Sequence, residues 1–210
     1  MSDASSANKT ALTLLIAVVG LIGGVLAAVY VRAPKPVTVQ SATLLQTPRP
    51  LPEFTLTDQD GEPFTRDNLR GKWTLIFPGF TYCPDVCPTT LGLLKTVETA
   101  LGPRAQHLQV LLFSIDPERD TPDTLKRYVG YFSPTFRGAT TSEPELQRIA
   151  QALGVAYIKV AGDTPESYTM DHSAALILIN PQAEIAGYFT PPLNADTLVQ
   201  DLTQLLGTTP

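Results

Sequence analysis

Three observations predict an α/β domain, a central mixed sheet flanked by helices, behind one N-terminal transmembrane helix. Short apolar runs alternate with amphipathic stretches along most of the chain. A long uncharged apolar stretch stands near the amino terminus, and both cysteines fall where an apolar run passes into a helix-like segment.

The chain has 210 residues, 19 of them proline, and a formal net charge of −5. That acidic balance, with no basic run, argues against nucleic acid as a partner. From Thr10 to Val31 the sequence TALTLLIAVVGLIGGVLAAVYV carries no charge, and Lys9 and Arg32 bracket it. About 20 apolar residues cross a hydrocarbon core, whereas a secretory signal has an apolar region of only about 7–15. Residues 10–32 therefore read as a retained anchor in the lipid bilayer, behind a short cytoplasmic tail at 1–9. Basic residues stand on both sides, Lys9 against Arg32 and Lys35, so their count does not fix the orientation. The short tail favours placing the soluble part outside. It carries Asp3 and no arginine, unlike an organellar presequence. The expected location is thus a bacterial inner (plasma) membrane, single-pass, with the soluble domain on the periplasmic side. Residues 33–50, with Pro34, Pro36, Pro48 and Pro50, suit a semi-stiff tether. Residues 51–207 then make one domain of ordinary size.

Inside that domain each element has a local cause. Phe54 to Thr57, followed by Asp58-Gln59-Asp60-Gly61, reads as a strand entering a hairpin turn. Trp73 to Phe77 is a short apolar run and hence a buried strand. Pro88 suits a first helical turn, and Leu91, Leu94, Val97 and Leu101 form one face that stops at Gly102-Pro103. Leu108 to Ile115 is a second buried strand, and Thr121-Pro122 opens a helix bearing Leu125, Tyr128 and Val129. Ser142-Glu143-Pro144-Glu145 has capping-box spacing and opens a helix that ends at Gly154. Val155 to Val160 and Ala174 to Ile179 read as strands, the second turning through Asn180-Pro181-Gln182 into Glu184 to Phe189. A last helix runs from Asn194 to about Leu206. This order is that of a thioredoxin-like domain, whose first strand–helix junction carries reactive cysteines. Here that junction holds Cys83 and Cys87.

Two thiols four residues apart are a reactive pair or a metal-ligand pair. On one helix the spacing is a rise of about 6 Å, so both sulfurs can share a face and converge on one ion. The same separation allows a disulfide. A thiol near a helix amino terminus also sits in a field that favours the thiolate. Thioredoxin-like reductases keep two residues between their cysteines; this chain keeps three, which weakens the redox reading. In Met170-Asp171-His172-Ser173, His172 takes the loop position that faces the cysteines in such a fold. Two thiolates and one imidazole form a soft site suited to Cu(I), while a structural zinc site normally supplies four protein ligands. Asp171 could orient the imidazole or cap the loop, and Asp116 could form a turn with Pro117 or serve the site.

The runs GKWTLIFPGFTYCPDVCPTTL, FSIDPERDTP and DHSAALILINP, in this order behind one anchor, resemble the Sco/SenC family. The resemblance covers nearly all of residues 50–206. It implies a thioredoxin-like fold and copper, Cu(I) or Cu(II), held by Cys83, Cys87 and His172, with Asp116 on the family's acidic position. It also implies a metallochaperone serving cytochrome c oxidase subunit II, or exchanging copper with a donor protein. Two residues depart from the family pattern: Pro78 stands where an aromatic is usual and interrupts the strand, and Tyr82 replaces a histidine. The alternative function is a thiol–disulfide oxidoreductase that reduces the acceptor's cysteines before copper enters. That activity needs the cysteines but not His172.

Overall fold

The computed structural model describes residues 14–24, 38–164 and 167–207. They belong to two units, divided between Val37 and Thr38. In the first unit, residues 14–24 form helix α1, with exposed side chains. Among the described residues no helix is long and apolar enough to cross a membrane. The rest of the expected anchor over 10–32, and the tail at 1–9, lie outside the described residues.

The second unit is a thioredoxin-like α/β fold. Strands β1 (Ala42–Pro50), β2 (Thr55–Asp58) and β3 (Pro63–Thr65) are followed by β4 (Trp73–Gly79) and helix α2 (Val86–Leu101). Next come β5 (Leu108–Ser114), α3 (Pro122–Phe132), β6 (Arg137–Thr140) and α4 (Glu145–Leu153). The chain ends in β7 (Tyr157–Ala161), β8 (Tyr168–His172), β9 (Leu176–Ile179), β10 (Glu184–Phe189) and α5 (Ala195–Leu206). Eight strands form one mixed sheet in the order β1-β10-β9-β4-β5-β6-β2-β3, and β7 and β8 form a separate hairpin.

The sheet's centre follows from apolarity. All seven residues of β4 are buried, as a strand covered on both faces requires. It runs parallel to β5 and antiparallel to β9. The α2 face expected from Leu91, Leu94, Val97 and Leu101 is buried, and α2 packs on α5. Thr121 caps α3 by accepting from the Thr124 N–H, and Asn194 caps α5 by accepting from Thr197. Gly154 ends α4 in the left-handed region at φ 76°, which glycine adopts without Cβ cost.

Four expectations need correction. The stretch 33–50 is not a tether throughout, because Ala42–Pro50 is edge strand β1, antiparallel to β10. Its prolines misled; an edge strand with a shifted register between Leu44 and Arg49 tolerates them. The folded unit therefore begins well before residue 51. Ser142 does not form a capping box: Pro144 is the cap residue of α4, and Gln147 donates its N–H to Glu143 instead. Pro78 does not interrupt β4. The Gly79 carbonyl accepts from Ile115 on the β5 side, so Pro78's missing donor faces the other way, where pairing to β9 has ended at Ile76. His172 closes β8 rather than sitting in a loop. Finally, the four-residue β6 was not anticipated; it is too short to show a period, yet it joins β5 to the β2–β3 hairpin.

Candidate metal centre

The site is built at the end of β4, the start of α2 and the end of β8. Burial drives β4 through the core, and the chain leaves it at Gly79, where a Cβ would crowd its neighbours. A methyl there would stand 3.0 Å from Cys87 Sγ and 3.1 Å from Leu112 Cδ1. Glycine lets the helix bring its cysteine against the strand without displacing either side chain. Sequence reading passed over Gly79, because nothing local signals a tertiary close approach.

Cys83 and Cys87 do not share a helix. Cys87 is the second residue of α2, fully buried, while Cys83 lies in the preceding loop and is half-buried. The loop folds back so that Cys83 Sγ accepts the Cys87 backbone N–H at 3.4 Å. A sulfur thus takes one of the unpaired first-turn donors, since the Asp85 side chain at the cap position accepts none. Both cysteines are free thiols.

Burial also reverses the expected ionisation of Cys87. Desolvation pushes its thiol well above the ordinary value of 9.0, against a hydrogen bond from the Phe80 backbone, and the adjacent Cys83 pushes the same way. The helix amino terminus does not outweigh loss of water.

His172 reaches the cysteines from β8. Its Nε2 lies 3.9 Å from Cys87 Sγ, and its Nδ1 is 2.9 Å from the Ser173 carbonyl. A carbonyl can only accept, so Nδ1 carries the proton in the neutral ring and the Nε2 lone pair faces the sulfur. Phe77 and Phe80 hold the ring edge-on, with centroids at 6.3 and 6.0 Å. Bonds of about 2.3 Å to sulfur and 2.0 Å to nitrogen can span such a gap around one ion. The donor chemistry fits a soft ion. Among the described residues, no three Cys, His, Asp or Glu side chains yet form a closed ligand set; Cys83 Sγ is turned to the helix. A concavity of about 240 Å³ borders the site, lined by Phe80, Cys83, Val86, Met170, Asp171 and His172.

The two carboxylates stand apart from this trio. Asp171 is exposed beside the concavity, and the imidazole Nδ1 is oriented by the Ser173 carbonyl instead. Asp116 is buried, 2.5 Å from Arg119 Nε and accepting from the Tyr168 hydroxyl at 2.7 Å. A third carboxylate, Asp120, escaped the sequence reading although it lies in the same run. Fully buried, it accepts from Ser114 Oγ and Thr81 Oγ1, both at 2.6 Å, and so fastens the cysteine loop to β5. Burial raises its pKa, and those hydrogen bonds offset part of the rise.

Known proteins carry the same arrangement of elements. The SCO1/SenC family model matches residues 43–207. A Stutzerimonas stutzeri protein named for copper binding is 38% identical over 164 residues, spanning 78% of this chain and 80% of its own. ScoI of Bradyrhizobium japonicum, solved with copper bound, is 36% identical with TM-score 0.69, covering 74% of this chain and 99% of that one. Apo Sco1 of Thermus thermophilus is 35% identical with TM-score 0.72, covering 82% and 99%.

Proposed function

Because the chain belongs to the SCO1/SenC family, we propose that it is a membrane-anchored copper metallochaperone acting in cytochrome c oxidase assembly. In this reading Cys83, Cys87 and His172 hold copper and pass it to the dinuclear copper centre of oxidase subunit II, or exchange it with a donor protein. The observation that carries the proposal is the Nε2 lone pair of His172 facing the Cys87 sulfur across 3.9 Å. A disulfide reductase requires the two thiols, whereas this metal site requires the nitrogen as its third ligand. The residues between 10 and 32 anchor the chain in the bacterial inner membrane, with the domain on the periplasmic side.

The chain's own residues divide the work. Cys87 gives up its proton when metal enters, since only the thiolate ligates. His172 supplies a neutral nitrogen already in the right tautomer. Cys83, half-buried at the loop, is the ligand an incoming acceptor reaches first. Asp171, on the rim, lies outside the ligand set and acts only at the outer edge of the site. A reduced dithiol is the condition for loading, because a closed disulfide leaves no thiolate. Bound copper supplies the cargo, and few protein ligands allow replacement one at a time.

A second reading keeps the same cysteines as a thiol–disulfide oxidoreductase. The pairing of a more accessible Cys83 with a buried Cys87 favours it, as attacking and resolving thiols have such unequal access. The test compares His172→Ala with Cys83→Ser in the reduced full chain, reading copper content and oxidase assembly. The chaperone predicts that both fail, the histidine variant losing more than the roughly 10–100-fold in affinity that an outer partner is worth. Full copper binding and assembly by His172→Ala, with failure of Cys83→Ser, would leave the oxidoreductase.

A further inference from the structure

His172 lies on a hairpin that shares no ladder with the main sheet, so something other than backbone pairing must hold it over the cysteines. Its edges offer few fastenings. The Tyr157 hydroxyl bonds Glu143, and Lys159 meets Glu118 at 2.6 Å, but these pairs are exposed and contribute little. The third fastening is partly buried and centres on Arg119.

Arg119 gathers three segments at once. Its Nε donates to Asp116 in the turn after β5 at 2.5 Å, and its Nη1 donates to the Tyr168 carbonyl of β8 at 3.1 Å. Its guanidinium carbon lies 3.6 Å from the Tyr168 ring centroid, 4.8 Å from Tyr82 and 5.7 Å from Phe80. Tyr82 and Phe80 belong to the cysteine loop, and Phe80 stands edge-on to His172. Asp116 in turn accepts the Tyr168 hydroxyl. The remaining nitrogen, Nη2, is buried with no hydrogen-bond partner among the described residues. A side chain serving only its ion pair would turn that nitrogen to water; here the aromatic contacts fix it. Tyr168 and His172 are four residues apart on one strand, hence on the same face about 13 Å apart.

We propose that Arg119 is the positioning residue that holds His172 in reach of the cysteine sulfurs, by clamping β8 to the turn after β5 and to the cysteine loop. The inference rests on the copper reading for its consequence, but the clamp itself is a property of the metal-free chain. With Arg119 removed, the hairpin keeps its exposed pairs, the Tyr168–Asp116 hydrogen bond and the buried Met170, but it loses the bridge to the cysteine loop, so His172 is held less firmly over the sulfurs. Lysine keeps the charge but not the planar fork, so it restores the contact only in part.

Two measurements on the full chain in detergent test this. Amide hydrogen exchange, without metal, should show β7 and β8 opening faster in Arg119→Ala while β4, β5 and β9 keep their protection. Unchanged protection of β8 overturns the clamp whether or not copper binds. Copper titration against a competing chelator, with the nitrogen signature in the Cu(II) paramagnetic resonance spectrum, reads the consequence. Arg119→Ala should lose about 10–100-fold in affinity, with a weakened nitrogen signature. Adding it to His172→Ala should cost nothing more, and Arg119→Lys should fall between. Undiminished nitrogen coupling, or a loss that adds fully to that of His172→Ala, overturns the clamp. If Arg119→Ala does not fold, the Lys variant decides by the same two readouts. Absence of copper from the wild-type chain would instead sink the metallochaperone reading, and exchange alone then judges the clamp.

Discussion

At Gly79 the absence of a side chain matters more than any side chain near it. Cys87 Sγ fills the space a Cβ would need. Gly79→Ala should therefore push the sulfur off its rotamer and cost about 1–3 kcal/mol of stability, as overpacking does. Chemical denaturation checks the stability, and copper titration checks that the displaced sulfur binds more weakly. Cys87 itself makes a pH prediction. Burial raises its folded pKa above the ordinary 9.0, so the folded chain keeps a proton that the unfolded chain releases. Stability from this group is complete below 9.0 and is lost as pH rises beyond it. Denaturation midpoints of the reduced, metal-free chain between about pH 7 and pH 10 should fall on the alkaline side, and Cys87→Ala should flatten that fall. The reactive types, cysteine and histidine, were legible because few other residues perform their chemistry. Gly79, Arg119 and Asp120 were not, since their roles consist of what they touch.

Among the elements, β1 shows how little local pattern some strands carry. Its residues are mostly exposed and contain two prolines, yet it pairs with β10. Gly187 permits the close approach of the Thr43 carbonyl, and the buried Asp201 of α5 fixes the strand's start. Its carboxylate accepts the backbone N–H groups of Gln40, Ser41 and Ala42 at 2.7, 2.8 and 3.0 Å. Burial works against that charge, but these three donors and the Ser41 hydroxyl outweigh it and hold the pKa below the usual 3.8. The resulting stability is present above 3.8 and is lost as pH falls through the lower folded value. Asp201→Ala should cost on the order of 2–3 kcal/mol, because it removes charged hydrogen bonds and strands their donors. Hydrogen exchange at residues 40–44 should rise with it. Strands β4, β5, β9 and β10 were readable because apolar runs or turn residues mark them. Strands β1, β6 and β8 were not, because each is short or exposed and its place is set by a neighbour.

Across the whole molecule, anchor and domain are separable expectations. The full chain should stay with membranes through an alkaline carbonate wash, and removal of residues 1–37 should release the domain, with cell fractionation as the measure. Release of the full chain by carbonate would remove the anchor from the proposed function. The sequence by itself determined the α/β class, the cysteine pair at a strand–helix junction and the histidine that joins it. Each follows from local chemistry: apolar runs that must be buried, proline and glycine that end elements, and residue types with few substitutes. Tertiary structure decided the rest. It put Cys83 before the helix rather than on it, kept Cys87 protonated by burial, and turned the His172 lone pair toward sulfur through a backbone carbonyl. It also bound the separate hairpin by way of Arg119. Those outcomes depend on distances between segments far apart in the chain, and no local pattern encodes a distance across the core.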